Sequence, residues 1–145
     1  MSFTMRLFLI AAAIGFALTG CSTEEHLRFS AQSSGANPSK MTSVAVRFAQ
    51  SNGLTAASSF PRRSKHLMLS VLADYRDRQA PNIRLTVVEF DGDLDASLTE
   101  RRRFASTSSF RYEVLCGRLR RDFHLAYGNG IDIETFRFST YFKYP

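Results

Sequence analysis

The sequence predicts an α+β domain over 41–145, a two-layer sandwich in which helices cover one face of a mainly antiparallel sheet, in the order α-β-β-β-α-β. Three observations carry that prediction. Asp91-Gly92 separates two alternating runs, "IRLTVVEF" and "LDASLTERRR", the strongest hairpin signal in the chain. "STSSFRYEVLCGRLRRDFHLAYGNG" repeats apolar residues at three- and four-residue intervals between a serine cap and glycines, as a helix does. "IDIETFRFSTYFKY" alternates, as a strand does.

Taken in order, "TSVAVRFAQSNG" opens the domain as a helix. Thr42 or Ser43 can cap it, Asn52-Gly53 can stop it, and Val44, Ala45, Phe48 and Ala49 share a face. Val44, Val46 and Phe48 also alternate, so a strand is the competing assignment. Pro61 marks a loop. "HLMLSVLADY" fits either period, and the need of the next two strands for partners decides for strand. The hairpin follows, with Leu94, Ala96 and Leu98 on one face. In the second helix Ser108 or Ser109 is the cap, and Tyr112, Leu115, Cys116, Leu119 and Phe123 form the packing stripe. Cys116 therefore reads as a small buried hydrophobe. In the last strand Phe136, Phe138, Thr140, Phe142 and Tyr144 make an apolar face, and a phase break near Thr135 suggests a bulge.

The first forty residues are different in kind. Met1–Arg6 is short with one positive charge, and Leu7–Leu18 is apolar without interruption except for Gly15. A membrane-spanning helix needs about 20 apolar residues, and this run is shorter and ends in small residues, which is the form of a secretory signal peptide. Leu18-Thr19-Gly20-Cys21 resembles the lipobox of bacterial lipoproteins. The resemblance covers only about the first 21 positions, and no family is recognised for the globular part. It implies removal of residues 1–20, a diacylglyceryl thioether on Cys21, and usually acylation of the new amino terminus. One acyl chain gives only reversible attachment, whereas three hold a protein on a bilayer. Ser22, rather than aspartate, after the cysteine implies the outer membrane, facing the periplasm, in a Gram-negative source. Residues 21–40 contain "AQSSGANPS" and read as a flexible tether, with a span of about 25 Å for such a coil. With Cys21 acylated, Cys116 has no partner for an intramolecular disulfide.

Length and composition fit one globular domain: 145 residues, 44% hydrophobic and 22% charged, which argues against wholesale disorder. The formal charge of +6 favours anionic partners. Candidate contacts are Arg62, Arg63 and Lys65 in "PRRSK", Arg101, Arg102 and Arg103 in "ERRRF", and Arg111 and Arg118 on the second helix. The partners they suit are anionic lipid, lipopolysaccharide or an acidic envelope protein. Nucleic acid would use the same charges, but an exported, anchored domain does not meet it.

Catalytic and metal signals are missing from the sequence. Asp91, Asp93, Asp95 and Glu100 suggest a calcium loop, yet the positions that need glycine and a bidentate glutamate hold Ala96 and Arg102. His26, His66 and His124 have no metal-pair spacing. His26 belongs to the tether, and His66 and His124 to element ends. No cofactor is expected. The reading is a non-catalytic, lipid-anchored envelope protein whose domain binds or positions a partner. The alternative is an envelope hydrolase or sugar-binding enzyme accessory with an unsigned cleft.

Overall fold

The structure, a computed structural model, describes residues 21–31, 37–57, 62–63, 69–103 and 107–141. The chain is α+β, with seven strands and two helices among the described residues. They run β1 (Cys21–Ala31), α1 (Pro38–Asn52), β2 (Leu54–Ala56), β3 (Arg62–Arg63), β4 (Leu69–Asp77), β5 (Ile83–Phe90), β6 (Asp93–Arg103), α2 (Phe110–Tyr127) and β7 (Asp132–Tyr141). The sheet order is β2-β4-β5-β6-β1-β7, with β3 also on β4, and every pairing is antiparallel.

The largest correction concerns the expected tether. Cys21–Ala31 is not a flexible coil but an inner strand, held between β6 and β7. The reason is a period of two: Leu27, Phe29 and Ala31 point into the core while Glu24, His26, Arg28 and Ser30 face the other way. Leu27 and Phe29 are 0% exposed, and Phe29 stacks on Phe123 of α2 with ring centroids 4.3 Å apart. The element order thus begins with a strand that the expected α-β-β-β-α-β lacks, and short β2 and β3 are added between α1 and β4. The expected start at Met41 is also too late.

Helix α1 forms where expected but begins earlier. Asn37, not Thr42 or Ser43, is the cap, its Oδ1 accepting from the Lys40 amide at 3.1 Å, with Pro38 in the first turn. Gly53 ends it at φ 77, a left-handed stop. Met41, Val44, Ala45, Phe48 and Ala49 are its buried side. Leu69–Asp77 is a strand, as the need for sheet partners predicted, and the irregularity of the sheet lies here, between Val71 and Ala73. Asp91 (φ 51) and Gly92 (φ 86) both take positive φ, the conformation of a tight hairpin turn. Ser109 caps α2 by accepting from the Tyr112 amide, and Tyr112, Leu115, Cys116, Leu119 and Phe123 are buried as predicted.

Strand β7 departs from expectation twice. Its register with β1 is unbroken from Asp132 to Tyr141, so no bulge occurs near Thr135. Its aromatic phase also does not enter the core. Phe136 pairs with His26 and Phe138 with Glu24, on the face away from Leu27 and Phe29. Phe142 and Tyr144 lie outside the described residues.

Candidate functional site

Strand registers place the basic residues. Ser22 lies opposite Arg103, Thr23 opposite Arg102 and Glu24 opposite Arg101, so the "RRR" run sits at the end of the sheet where Cys21 opens β1. The same end collects the last residues of β4 and α1 and the first turn of α2. Asp77 of β4 takes the Arg111 Nε at 2.6 Å, and Arg111 also donates to the Asn52 carbonyl.

Period two divides the run. Glu100 and Arg102 turn inward, Arg101 and Arg103 outward. Arg102 is only 7% exposed and is therefore not a contact for an external anion, which corrects the sequence expectation. Its Nη2 donates to Glu25 Oε2 at 2.6 Å, and its Nε lies 3.3 Å from Glu100 Oε2. Glu25 also accepts from Ser108 Oγ, and Glu100 from the Ser109 amide, so the knot ties β1 and β6 to the start of α2. Tyr112 reinforces it, its hydroxyl lying 3.0 Å from the Leu98 carbonyl and 3.1 Å from that of Glu25. Burial raises the Tyr112 phenol well above its ordinary range. Burial also pushes the Cys116 thiol up to about 11, against a smaller opposite effect of its hydrogen bond with Tyr112.

Arg111 likewise serves the fold, and Arg118 reaches the Asn52 side chain at 2.7 Å. Arg62 and Arg63 form β3, opposite Val71 and Ser70, toward the other end of β4, so they do not join the "RRR" run. Lys65 and His66 lie outside the described residues. Exposed cations toward the Cys21 end include Arg78, Arg103, Arg101, which lies 3.5 Å from Glu24, and Arg137, which lies 3.3 Å from Glu25, with Arg76 level with His26. Arg78 and Arg76 received no weight in the sequence because neither stands in a cluster; only the sheet brings them to this end.

The opposite end carries acidic residues as well as the Arg62 and Arg63 of β3. Asp91 and Asp93 form the β5–β6 turn, and Asp132 and Glu134 open β7, all exposed. The carboxylates of the suspected calcium run are thereby scattered. Asp95 binds Arg28 and Ser30 at 2.6 Å each, and Glu100 is buried at the far end of β6. The Asp95 hydrogen bond raises the Arg28 guanidinium, and that of Asp74 raises Arg84.

His26, expected in the tether, sits instead on the open side of β1. Its ring stacks on Phe136 at 4.9 Å, meets the edge of Phe138 at 5.5 Å, and its Nδ1 lies 3.2 Å from Thr99 Oγ1. Phe138 is 57% exposed beside Glu24. Among the described residues no group of three or more His, Cys, Asp or Glu side chains could hold a metal ion, and no helix is long and apolar enough to cross a membrane. No protein-family model matches the chain, and no curated protein matches it.

Proposed function

We propose that this chain is a cell-envelope lipoprotein, acylated on Cys21, whose domain is a non-catalytic module that binds or positions an envelope partner at the membrane. The observation that carries the reading is the apolar run ending in Leu18-Thr19-Gly20-Cys21. The start of β1 at Cys21 is compatible with it, since an acylated amino terminus keeps an amide N–H. Lipid on Cys21 then stands at the sheet end itself, with none of the slack of a twenty-residue tether. In this reading the domain has two layers, both helices lying over the Leu27–Phe29 face. Residence at the outer membrane, facing the periplasm, belongs to the same proposal and rests on Ser22.

Intact-mass analysis of protein extracted from membranes tests it. Acylation at Cys21 and cleavage before it are the expected result, and Cys21→Ser should leave an uncut precursor. A free thiol at Cys21, or normal processing of that variant, refutes the anchor.

One feature favours the second reading, a sugar-binding enzyme accessory. The exposed Phe138 ring beside His26 and Glu24 offers an apolar platform with polar neighbours, the combination on which a sugar ring stacks. Calorimetric titration with envelope glycan fragments decides it: binding that Phe138→Ala abolishes supports the accessory, and no heat with any fragment removes it.

A further inference from the structure

The balance of exposed charge differs between the two ends of the sheet, and the difference coincides with the position of Cys21. Arg78, Arg101 and Arg103 stand exposed toward the end where β1 starts, with Arg76 level with His26, whereas Asp91, Asp93 and Asp132 stand exposed toward the other, where β3 also brings Arg62 and Arg63 and Glu134 is level with Arg28. Of the carboxylates near the first end, Glu25, Asp77 and Glu100 are spent on Arg102, Arg111 and the α2 cap, half-buried Glu24 lies 3.5 Å from Arg101, and Glu113 is exposed in the first turn of α2. Phe110, the first residue of α2, adds an aromatic ring 85% exposed at that same end.

We infer that the Cys21 end of the sheet is a docking surface for an anionic phospholipid bilayer, with Arg76, Arg78, Arg101 and Arg103 at the headgroups and Phe110 at the interface. The inference rests on the anchoring reading for where the bilayer lies. Charge complementarity commits it to anionic lipid. Each cation close to such a surface favours binding by about fivefold. Asp93 does not oppose it: ten strand steps of roughly 3.3 Å put it about 33 Å from Arg103, and the screening length is about 8–10 Å. Approach by the other end would bring Asp91, Asp93 and Asp132 to the headgroups beside Arg62 and Arg63. An exposed apolar ring beside arginines is also the combination that lies at the boundary between headgroups and acyl chains.

The chain has no tryptophan, so a single introduced one is a clean probe. The test uses the full-length protein extracted from membranes, as Phe110→Trp and separately as Phe90→Trp, whose 53% exposed site lies beside the distal turn. Each is placed in vesicles of phosphatidylcholine alone, or with one quarter phosphatidylglycerol, containing lipids brominated near the glycerol. Docking predicts severalfold stronger quenching of Phe110→Trp than of Phe90→Trp in the anionic vesicles. Arg101→Gln with Arg103→Gln should cut that quenching at least twofold, and both side chains are exposed, so the fold is unaffected. Equal quenching at the two positions overturns the inference, as does quenching that is the same in neutral vesicles. Intact mass of the same preparation reports on Cys21 separately. An unmodified thiol refutes the anchor, while the pair of quenching values still decides the docking.

Discussion

If Cys21–Ala31 is an inner strand, removing one buried ring from it must destabilise the whole domain. Phe29 is the sharpest choice. It is fully buried, its backbone pairs with Ala96 on one side and Ile133 on the other, and its ring lies on Phe123 at 4.3 Å and 14°. Truncating a buried phenylalanine to alanine costs about 3–5 kcal/mol in lost transfer energy and cavity. Domains of this size are stable by only about 5–15 kcal/mol. At about 4 °C per kcal/mol the melting temperature should fall by roughly 12–20 °C. Urea unfolding followed by far-ultraviolet circular dichroism measures it, the midpoint shifting while the slope is preserved. Phe110→Ala, at the 85% exposed site, is the control and should stay within about 0.5 kcal/mol of the parent. A Phe29→Ala loss no larger than that control would return residues 21–31 to the status of a tether and remove the central strand from the fold.

Three further outcomes follow from the same packing. Arg102→Met should destabilise by about 3–5 kcal/mol, because the Glu25 and Glu100 carboxylates stay buried without their cation; a loss below 1 kcal/mol in urea melts means that they find other partners. Gly92→Val should cost about 1–2 kcal/mol, since a β-branched side chain disfavours the φ of 86 that the turn requires; an unchanged midpoint refutes the turn. Cys116 has a folded pKa of about 11 against 9.0 unfolded, so its contribution is full below pH 9 and is lost as pH rises toward 11. That loss is on the order of 2 kcal/mol, and Cys116→Ala should flatten that part of the alkaline stability profile. At pH 8 the native thiol should react with a maleimide far more slowly than in denaturant, and equal rates would place it in solvent.

Much of the fold was legible because local signals and long-range needs agreed. Asp91-Gly92 demanded positive φ at two successive residues and received it, and the Tyr112–Phe123 stripe is the buried side of α2. Strand β1 was illegible for a physical reason. It carries only three inward apolar residues among Glu24, Glu25, His26 and Arg28, so its composition reads as solvated. Its polar side is satisfied by partners distant in sequence, Asp95 for Arg28 and Ser30, and Thr99 for His26, which a local reading cannot supply. The aromatic phase of β7 misled because alternation shows that a strand has two faces but not which one meets the helices. At the candidate site the sequence held one unused signal. Once "LDASLTERRR" is a strand, period two places Arg102 with the inward Leu94, Ala96 and Leu98 and separates it from Arg101 and Arg103. Arg76 and Arg78 needed the sheet.

The position of β1 changes what an anchor at Cys21 would transmit. Twenty flexible residues would allow the domain to turn freely about 25 Å from the lipid. A strand that begins at the proposed anchor would instead pass any pull along its own axis, into the ten residue pairs it makes with β6 and the ten it makes with β7. Both ladders are loaded in shear, so many hydrogen bonds resist at once rather than opening singly from an edge. In the proposed anchoring, orientation at the bilayer would have two separable causes, the absence of slack and the basic rim. A twelve-residue Gly/Ser spacer inserted between Cys21 and Ser22 separates them. It frees the domain by about 20 Å, roughly twice the screening length, so charge alone must hold the Phe110→Trp probe at the lipid. Raising salt to about 0.5 M should then abolish its quenching in the spacer variant and only diminish it in the parent. Equal salt sensitivity in the two proteins would mean that the strand start contributes nothing to how the domain sits.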